Sequence, residues 1–149
     1  MRQARFRAVI SVARALTGGN MAENSPTTGY RVDYDPATGV VRATFSGALN
    51  AEKITRAAHE GLALGRERGC TRYLVDYRNT AVTDATADTY FFMSNLERLG
   101  LGRSDRAAIV YERDAERHGF AELVAQNRGW ANLRYFTNMA AAEEWLTAE

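Results

Sequence analysis

Cysteine is almost absent from this sequence, with Cys70 as its single representative. One cysteine excludes an internal disulfide and any zinc site built from several cysteines, and it is typical of a reducing compartment such as the cytoplasm. Long apolar runs are also absent, since no stretch approaches the roughly 20 residues that cross a bilayer. The sequence therefore predicts a cytoplasmic protein without a membrane span.

An excess of charge of one sign is missing as well. The 19 basic and 18 acidic residues are scattered along the chain and leave a net charge of +1. No basic stripe is available to neutralise a phosphate backbone, so nucleic acid is not expected as a partner. The local exception is the N-terminus, where Arg2, Arg5, Arg7 and Arg14 precede Glu23, the first acidic residue.

We expect residues 1–29 to be an extension outside the folded domain. It is either a disordered tail or sequence upstream of a true start at Met21. A targeting or interfacial helix is the alternative, because apolar residues recur at helical spacing in this arginine-rich, acid-free stretch. The sequence does not distinguish a start at Met1 from one at Met21.

The rest of the chain is expected to form one domain over residues 30–147, since its 149-residue length and 46% apolar content are typical of a single globular unit. The first half of this domain has the pattern of a hairpin, a helix and a buried strand. The predicted elements are strands at residues 30–34 and 40–45, the second ended by Ser46 and Gly47, a helix from the N-cap Asn50 to about Arg68, and a strand at residues 72–77.

The second half alternates helices with strands, the strands falling at residues 106–111 and 132–136. One helix is predicted from Thr83 or Asp84 to Gly100, and its expected buried residues are Ala87, Phe91, Met93, Leu96 and Leu99. Another is predicted over residues 115–128 with Phe120, Leu123 and Val124 buried, and a last helix is capped by Asn138. A helix between two strands implies a parallel crossover. The expected fold class is an α/β domain with a five-stranded, mixed and mostly parallel sheet and about four helices.

Three short segments resemble the STAS or SpoIIAA-like family, which is related to anti-sigma-factor antagonists. They are residues 45–47 (Phe-Ser-Gly), 74–78 (Leu-Val-Asp-Tyr-Arg) and 134–138 (Arg-Tyr-Phe-Thr-Asn), followed by Ala142, Trp145 and Leu146. The resemblance implies a switch in which a serine or threonine after the central strand is phosphorylated. Arg78 stands at that position here, so the switch is not carried over. Thr80 and Thr83 lie nearby, either as substitutes for that hydroxyl or as caps of the next helix.

Ligands of open α/β sheets commonly bind at the carboxyl ends of the parallel strands. The segments expected to converge there are residues 46–47, 76–79, 111–113 and 137–138. Arg78 and Arg113, beside predicted helix N-termini, favour an anion such as a carboxylate or phosphate. The alternative is a salt bridge from Asp76 to one of these arginines.

Tyr90, Phe91, Phe92 and Met93 are four consecutive large apolar residues in a predicted helix. Because consecutive helical residues point about 100° apart, the four cannot all face one sheet. At least one is expected to face outward, at a homodimer interface, a protein-partner surface or an apolar ligand groove, unless a neighbouring helix covers it.

No set of catalytic residues stands out. His59 and His118 lie on different predicted helices with no serine or cysteine arrangement beside them. His118 and Glu122 are one helical turn apart, and we expect them to form a surface pair rather than a metal site. Cys70 is expected to be a small packing residue. The sequence predicts a protein that is not an enzyme and has no cofactor or metal.

The preferred hypothesis is a non-enzymatic binding or regulatory module whose partner, a protein or a small molecule, is unknown. Its rival is a small-molecule binding protein for an amphipathic or anionic ligand, with aromatic walls and Arg78 as the anchor. Both hypotheses use one candidate surface, made of Asp76, Arg78, Asn79, Thr83, Tyr90, Phe92, Tyr111 and Arg113.

Overall fold

The computed structural model describes residues 29–148. The chain divides into two units, Met1–Arg31 and Val32–Glu149, and only residues 29–31 of the first unit belong to the described part. The predicted N-terminal extension therefore lies, except for Gly29, outside the described residues, as do both candidate start positions. Its boundary stays a prediction.

A five-stranded sheet and five helices make up the described part of the chain. In chain order they are β1 (Tyr30–Asp35), β2 (Val40–Leu49), α1 (Ala51–Arg68), β3 (Arg72–Val82), α2 (Thr86–Ser94), α3 (Leu96–Leu99), β4 (Arg106–Tyr111), α4 (Ala115–Asn127), β5 (Leu133–Phe136) and α5 (Met139–Thr147). The strand order is β1-β2-β3-β4-β5, and the last three pairings are parallel. The predicted α/β class with a mixed, mostly parallel sheet is confirmed. Among residues 29–148, no helix is long and apolar enough to cross a bilayer.

Local sequence signals fix the ends of two helices. The side chain of Asn50 accepts a hydrogen bond of 2.9 Å from the backbone N–H of Lys53, and that of Asn138 accepts one of 2.8 Å from Ala141. Each bond satisfies an N–H group that the first helical turn leaves without a partner. Gly69 ends α1 at a φ of +65°, a conformation that costs glycine little. These predicted caps are confirmed.

The sheet separates two layers of helices. Alternate residues of a strand point to opposite faces. On one face, α5 packs over an apolar core that consists of Val40, Leu74, Ala108, Val110, Ala142 and Leu146. The opposite face carries Val41, Tyr73, Ala107 and Leu133 and lies beneath α1, α2 and α4. The candidate site described below is on this second face.

The predicted helix from Thr83 or Asp84 to Gly100 is shorter and is broken in two. It begins at Thr86, and Asn95 separates α2 from α3. The Asn95 side chain donates a 2.6 Å hydrogen bond to the carbonyl oxygen of Phe91, which is the acceptor that the backbone N–H of residue 95 would use in a continuous helix. The backbone N–H of Asn95 bonds to Phe92 instead. This competition explains why five helices replace the predicted four.

Two predicted helix faces were also wrong in part. Phe91 and Ala87, expected to be buried, are exposed, and so is Leu123 in α4. In α4 the buried residues are His118, Ala121, Val124 and Ala125, while Phe120 is half-buried. Apolar residues are spread around α4, so its sequence does not define which side faces the sheet.

Candidate functional site

Strands β2 and β3 extend beyond the rest of the sheet. β3 was predicted to end at Tyr77, and β2 at Ser46 and Gly47, but the two strands continue in parallel to Leu49 and Val82. β3 pairs with β4 only as far as Tyr77. At this point Phe45 of β2 faces two residues of β3, so β3 contains a bulge. The predicted site residue Asn79 therefore lies in a two-stranded ribbon and not in a loop.

The end of this ribbon is fastened at two points. The backbone N–H of Val82 donates to the carboxylate of Asp114 at 2.9 Å, immediately before α4. Asp114 has a φ of +60° and is the one non-glycine residue with positive φ among those that the structure describes. The backbone N–H of Thr83 bonds to the carbonyl of Leu49 at 3.0 Å. These bonds tie the ribbon to α4 and tie its two strands together.

The two threonines proposed as phosphorylation sites or caps have other roles in the structure. Thr80 is buried, and its hydroxyl donates to the Tyr77 carbonyl at 2.6 Å. The hydroxyl of Thr83 donates to the Leu49 carbonyl at 3.3 Å. Neither caps α2, whose N-cap is Ala85. Modification of Thr80 would require local opening of the ribbon, because its hydroxyl is inside the fold.

Asp76 and Arg78 form an ion pair on the α5 side of the sheet. Asp76 Oδ1 accepts from Arg78 Nε at 3.0 Å, and Oδ2 accepts from Nη2 at 2.9 Å. Burial raises the pKa of Asp76, but the hydrogen bonds and charge of Arg78 outweigh it and hold the pKa below its ordinary value. The alternative reading of Arg78, a salt bridge to Asp76, is present in the structure, and its role as an anion anchor stays a prediction.

An apolar cavity of about 150 Å³ lies on the other side of the sheet. Its walls come from all four parallel strands and from α1, α2 and α4, with Ala43, Val75, Ala58, Phe92 and His118 among them. The space exists because α1 has small residues where it faces the sheet, namely Ala57, Ala58 and Gly61. Val75 belongs to the central strand and is nevertheless only half-buried.

The cavity wall has a polar part at the start of α2. Asp84, Asp88 and Thr89 line it, and Arg117 of α4 lies beside them with its guanidinium donating to the Asp84 carbonyl. Asp88 is solvent-exposed. The cavity therefore reaches the surface of the protein next to α2.

An aromatic cluster closes the wall at the carboxyl ends of the strands. The ring of His118 stacks on Tyr77 and on Tyr111, with centroids 5.4 and 4.9 Å apart, and its centroid lies 5.9 Å from that of Tyr135. Tyr77 also meets Phe45 edge to face at 5.1 Å. Burial lowers the pKa of His118 and raises the pKa of Tyr77 and of Tyr135. All three side chains are therefore uncharged at neutral pH.

Apart from the Asp76–Arg78 ion pair, the structure does not bring the predicted site residues together. Phe92 was expected to face outward and instead lines the cavity. Tyr90 is exposed on α2, where its hydroxyl accepts from Arg128 at 3.0 Å. Tyr111 stacks on His118, and Arg113 is exposed in the connection between β4 and α4. The role of α2 as a partner or homodimer surface stays a prediction, with Phe91 rather than Phe92 as its most exposed ring.

Sequence reasoning missed His118 as a member of the site. The predicted surface pair with Glu122 is wrong, because His118 is buried and Glu122 accepts from the backbone N–H of Tyr135 at 3.0 Å. A signal was present in the sequence, since Phe45, Tyr77 and Tyr111 each stand near the end of a predicted strand. Within residues 29–148 no group of three potential metal ligands is found. Cys70 is half-buried, and its thiol donates to a backbone carbonyl at 3.1 Å, as a packing residue does.

The element order and the parallel sheet define an α/β domain of the STAS type. A model of the SpoIIAA-like family matches residues 40–147, and the chain belongs to this family. Comparisons with curated proteins and with solved structures found no match. Family membership supports a regulatory or binding module of a kind that is generally non-catalytic.

Proposed function

We propose that the protein is a binding module that holds a small apolar or amphipathic molecule in the cavity between the sheet and helices α1, α2 and α4. The observation that carries this proposal is the cavity itself, with its volume of about 150 Å³ and its largely apolar wall. An engineered apolar cavity of about this volume in another protein takes up benzene or xenon. The buried part of the ligand is therefore on the order of one aromatic ring or a short alkyl chain.

Ligand binding in this cavity is favoured by apolar burial. A ligand there removes apolar surface of its own and of the cavity wall from water, which stabilises the complex by roughly 25 cal/mol per Å² buried. A ligand that binds only the folded protein adds stability by mass action. Binding should therefore raise the midpoint of thermal unfolding in proportion to the logarithm of the ligand concentration.

Binding without catalysis is the second part of the proposal. His59 is exposed on α1, whereas His118 is buried on α4. Asp76, which was considered as part of a site, forms an ion pair with Arg78 on the other face of the sheet. The family supports the same view, since its domains act as regulatory or binding modules.

Benzene binding to the purified full chain tests the proposal. Isothermal titration calorimetry and thermal unfolding are expected to show binding to the wild type. Ala58→Leu places a larger side chain in the cavity wall and should weaken benzene affinity at least tenfold. Ala63→Leu is the matched control, because Ala63 lies on the same helix and is exposed. If benzene does not bind, or if both variants bind it equally well, the proposal is wrong. Native mass spectrometry of protein purified from its own host is expected to show a co-purifying small molecule.

A further inference from the structure

The polar side chains in the cavity wall restrict the chemical class of the ligand, an inference that rests on the proposed function. Tyr77 of β3, Tyr135 of β5 and His118 of α4 all line the cavity. Tyr77 is 7% exposed and His118 is 4% exposed. Tyr135 is half-buried. Among residues 29–148, the ring nitrogens of His118 and the hydroxyl oxygens of these two tyrosines make no hydrogen bond, and none of them is a fully buried atom. Three elements thus contribute side chains with accessible, unpartnered polar atoms to the wall of one cavity.

A polar atom that is accessible from a cavity and has no protein partner can bond to a ligand or to a water molecule there. Each tyrosine hydroxyl offers one donor and acceptor lone pairs, and a neutral imidazole offers one donor and one acceptor. The three rings are neighbours, because the centroid of the His118 ring lies 5.4 Å from that of Tyr77 and 5.9 Å from that of Tyr135. They therefore suit a ligand that has a hydroxyl, carbonyl or amide group at one end of an apolar body.

The charges around the cavity disfavour an anion. Asp84 and Asp88 line the wall, and Asp114 and Glu122 interact electrostatically with members of the aromatic cluster. Among the lining residues, all in the described part of the chain, Arg117 alone has a guanidinium or ammonium group, and it donates to the Asp84 carbonyl. A carboxylate in this position would lose its hydration and face more negative than positive charge.

We propose that the ligand is an uncharged amphipathic molecule whose polar end is hydrogen-bonded by Tyr77, Tyr135 and His118 and whose apolar end fills the space beneath α1 and α2. This proposal replaces the anionic ligand anchored by Arg78 that the sequence suggested. It places the recognition of the polar group on the cavity side of the sheet, at the carboxyl ends of β3 and β5.

Three ring compounds of similar size separate the possibilities by calorimetry on the full chain at pH 7. They are benzene, benzyl alcohol and benzoate. Because a net hydrogen bond changes affinity by about 2- to 10-fold, benzyl alcohol should bind several-fold more tightly than benzene. Benzoate should bind at least about tenfold more weakly than benzyl alcohol, because its charge is desolvated without a cationic partner.

Removal of single hydroxyl groups identifies the residues that recognise the polar end. Tyr77→Phe and Tyr135→Phe are each expected to weaken benzyl alcohol affinity about 2- to 10-fold more than benzene affinity. Tyr111→Phe is the matched control, because Tyr111 stacks on His118 but does not line the cavity. It should change neither affinity.

The outcomes distinguish this proposal from the one on which it rests. If none of the three compounds binds, both are wrong. If benzene binds but benzyl alcohol binds no more tightly, or if benzoate binds best, the cavity is still a ligand site. In that case only the inference that the ligand has an uncharged polar end is wrong. Equal loss of benzene and benzyl alcohol affinity in Tyr77→Phe and Tyr135→Phe also overturns it, because the hydroxyls would then act only through packing.

Discussion

The hydroxyl of Tyr73 occupies the space in which a side chain at position 65 would begin, so that a Cβ added to Gly65 would lie 2.1 Å from the phenol oxygen. Gly65 is on α1 and Tyr73 is on β3, and both residues are buried. Burial, with smaller effects from Asp105 and Cys70, raises the pKa of Tyr73 to about 12. The absence of a side chain on Gly65 allows α1 to approach the sheet at the edge of the cavity.

We therefore expect Gly65→Ala to destabilise the protein. Overpacking at a buried contact costs about 1–3 kcal/mol, which outweighs the gain of about 1 kcal/mol in helix propensity. Gly119→Ala on α4 is the matched control, because nothing lies within 4 Å of a Cβ added there, and it should be neutral or stabilising. The free energy of unfolding from urea denaturation measures both. Equal effects of the two substitutions would show that Tyr73 moves aside freely.

The Asp76–Arg78 pair is expected to contribute modestly to stability. The Asp76 side chain is 14% exposed and that of Arg78 is 45% exposed, so solvent screens part of the interaction. A double-mutant cycle with Asp76→Asn and Arg78→Gln should give a coupling free energy of about 0.5–1 kcal/mol. The Glu52–Arg56 pair on α1 is more exposed and should give less.

The pH dependence of this pair has a definite sign. Because the folded protein holds the pKa of Asp76 below its ordinary value of 3.8, the stabilisation is present above that value and is lost as the pH falls towards the folded pKa. Asp76→Asn should therefore make the free energy of unfolding less dependent on pH below about 4. If this variant loses stability with falling pH as steeply as the wild type, the role assigned to the pair is contradicted.

Some helix ends were predicted correctly from sequence signals that involve only neighbouring residues. Asn50, Gly69 and Asn138 mark helix ends because a capping bond or a positive φ involves only neighbouring residues. The order of strands and helices along the chain was also predicted from local residue patterns. The family resemblance was carried by residues in and next to three strands and by residues of α5, and the family model confirms it.

Features that depend on distant partners were not predictable from local pattern. The extension of β3 to Val82 depends on Asp114, which lies 32 residues later in the chain and receives a backbone hydrogen bond. The burial of His118 depends on tyrosines from three separate strands. The cavity has no sequence signature of its own, because it is the space that α1, α2 and α4 leave between them over the sheet.

The orientation of α2 predicts different effects for two adjacent phenylalanines. Phe91 is 66% exposed, so Phe91→Ala should change the free energy of unfolding by no more than about 0.5 kcal/mol. Phe92 lines the cavity, and Phe92→Ala should cost about 1–3 kcal/mol because it removes apolar contacts and enlarges the cavity. Thermal and urea denaturation of the two variants compare them directly. A larger loss for Phe91→Ala would mean that another surface covers that ring.

His118 should make stability depend on pH near neutrality. Burial lowers its pKa below the ordinary value of 6.5; the negative charge of Asp114 opposes this shift and the positive charge of Arg117 adds to it. Tyr77, Tyr111 and Tyr135 face the ring from β3, β4 and β5. As the pH falls below 6.5, the unfolded chain takes up a proton that the folded protein does not. The free energy of unfolding should therefore decrease, by up to about 1.4 kcal/mol per pH unit, until the folded pKa is reached.

Urea denaturation of the wild type and of His118→Gln between pH 7.5 and about 5 tests this dependence. The variant has no titrating group at position 118, so it should have a lower free energy of unfolding at pH 7 but a flatter slope below pH 6.5. His59→Gln is the control, because His59 is exposed on α1, and it should keep the wild-type slope. If His118→Gln and the wild type have the same slope, His118 takes up its proton equally well in the folded protein. In that case its ring is not held neutral by burial, and an acidic group at the polar end of the ligand would become favourable.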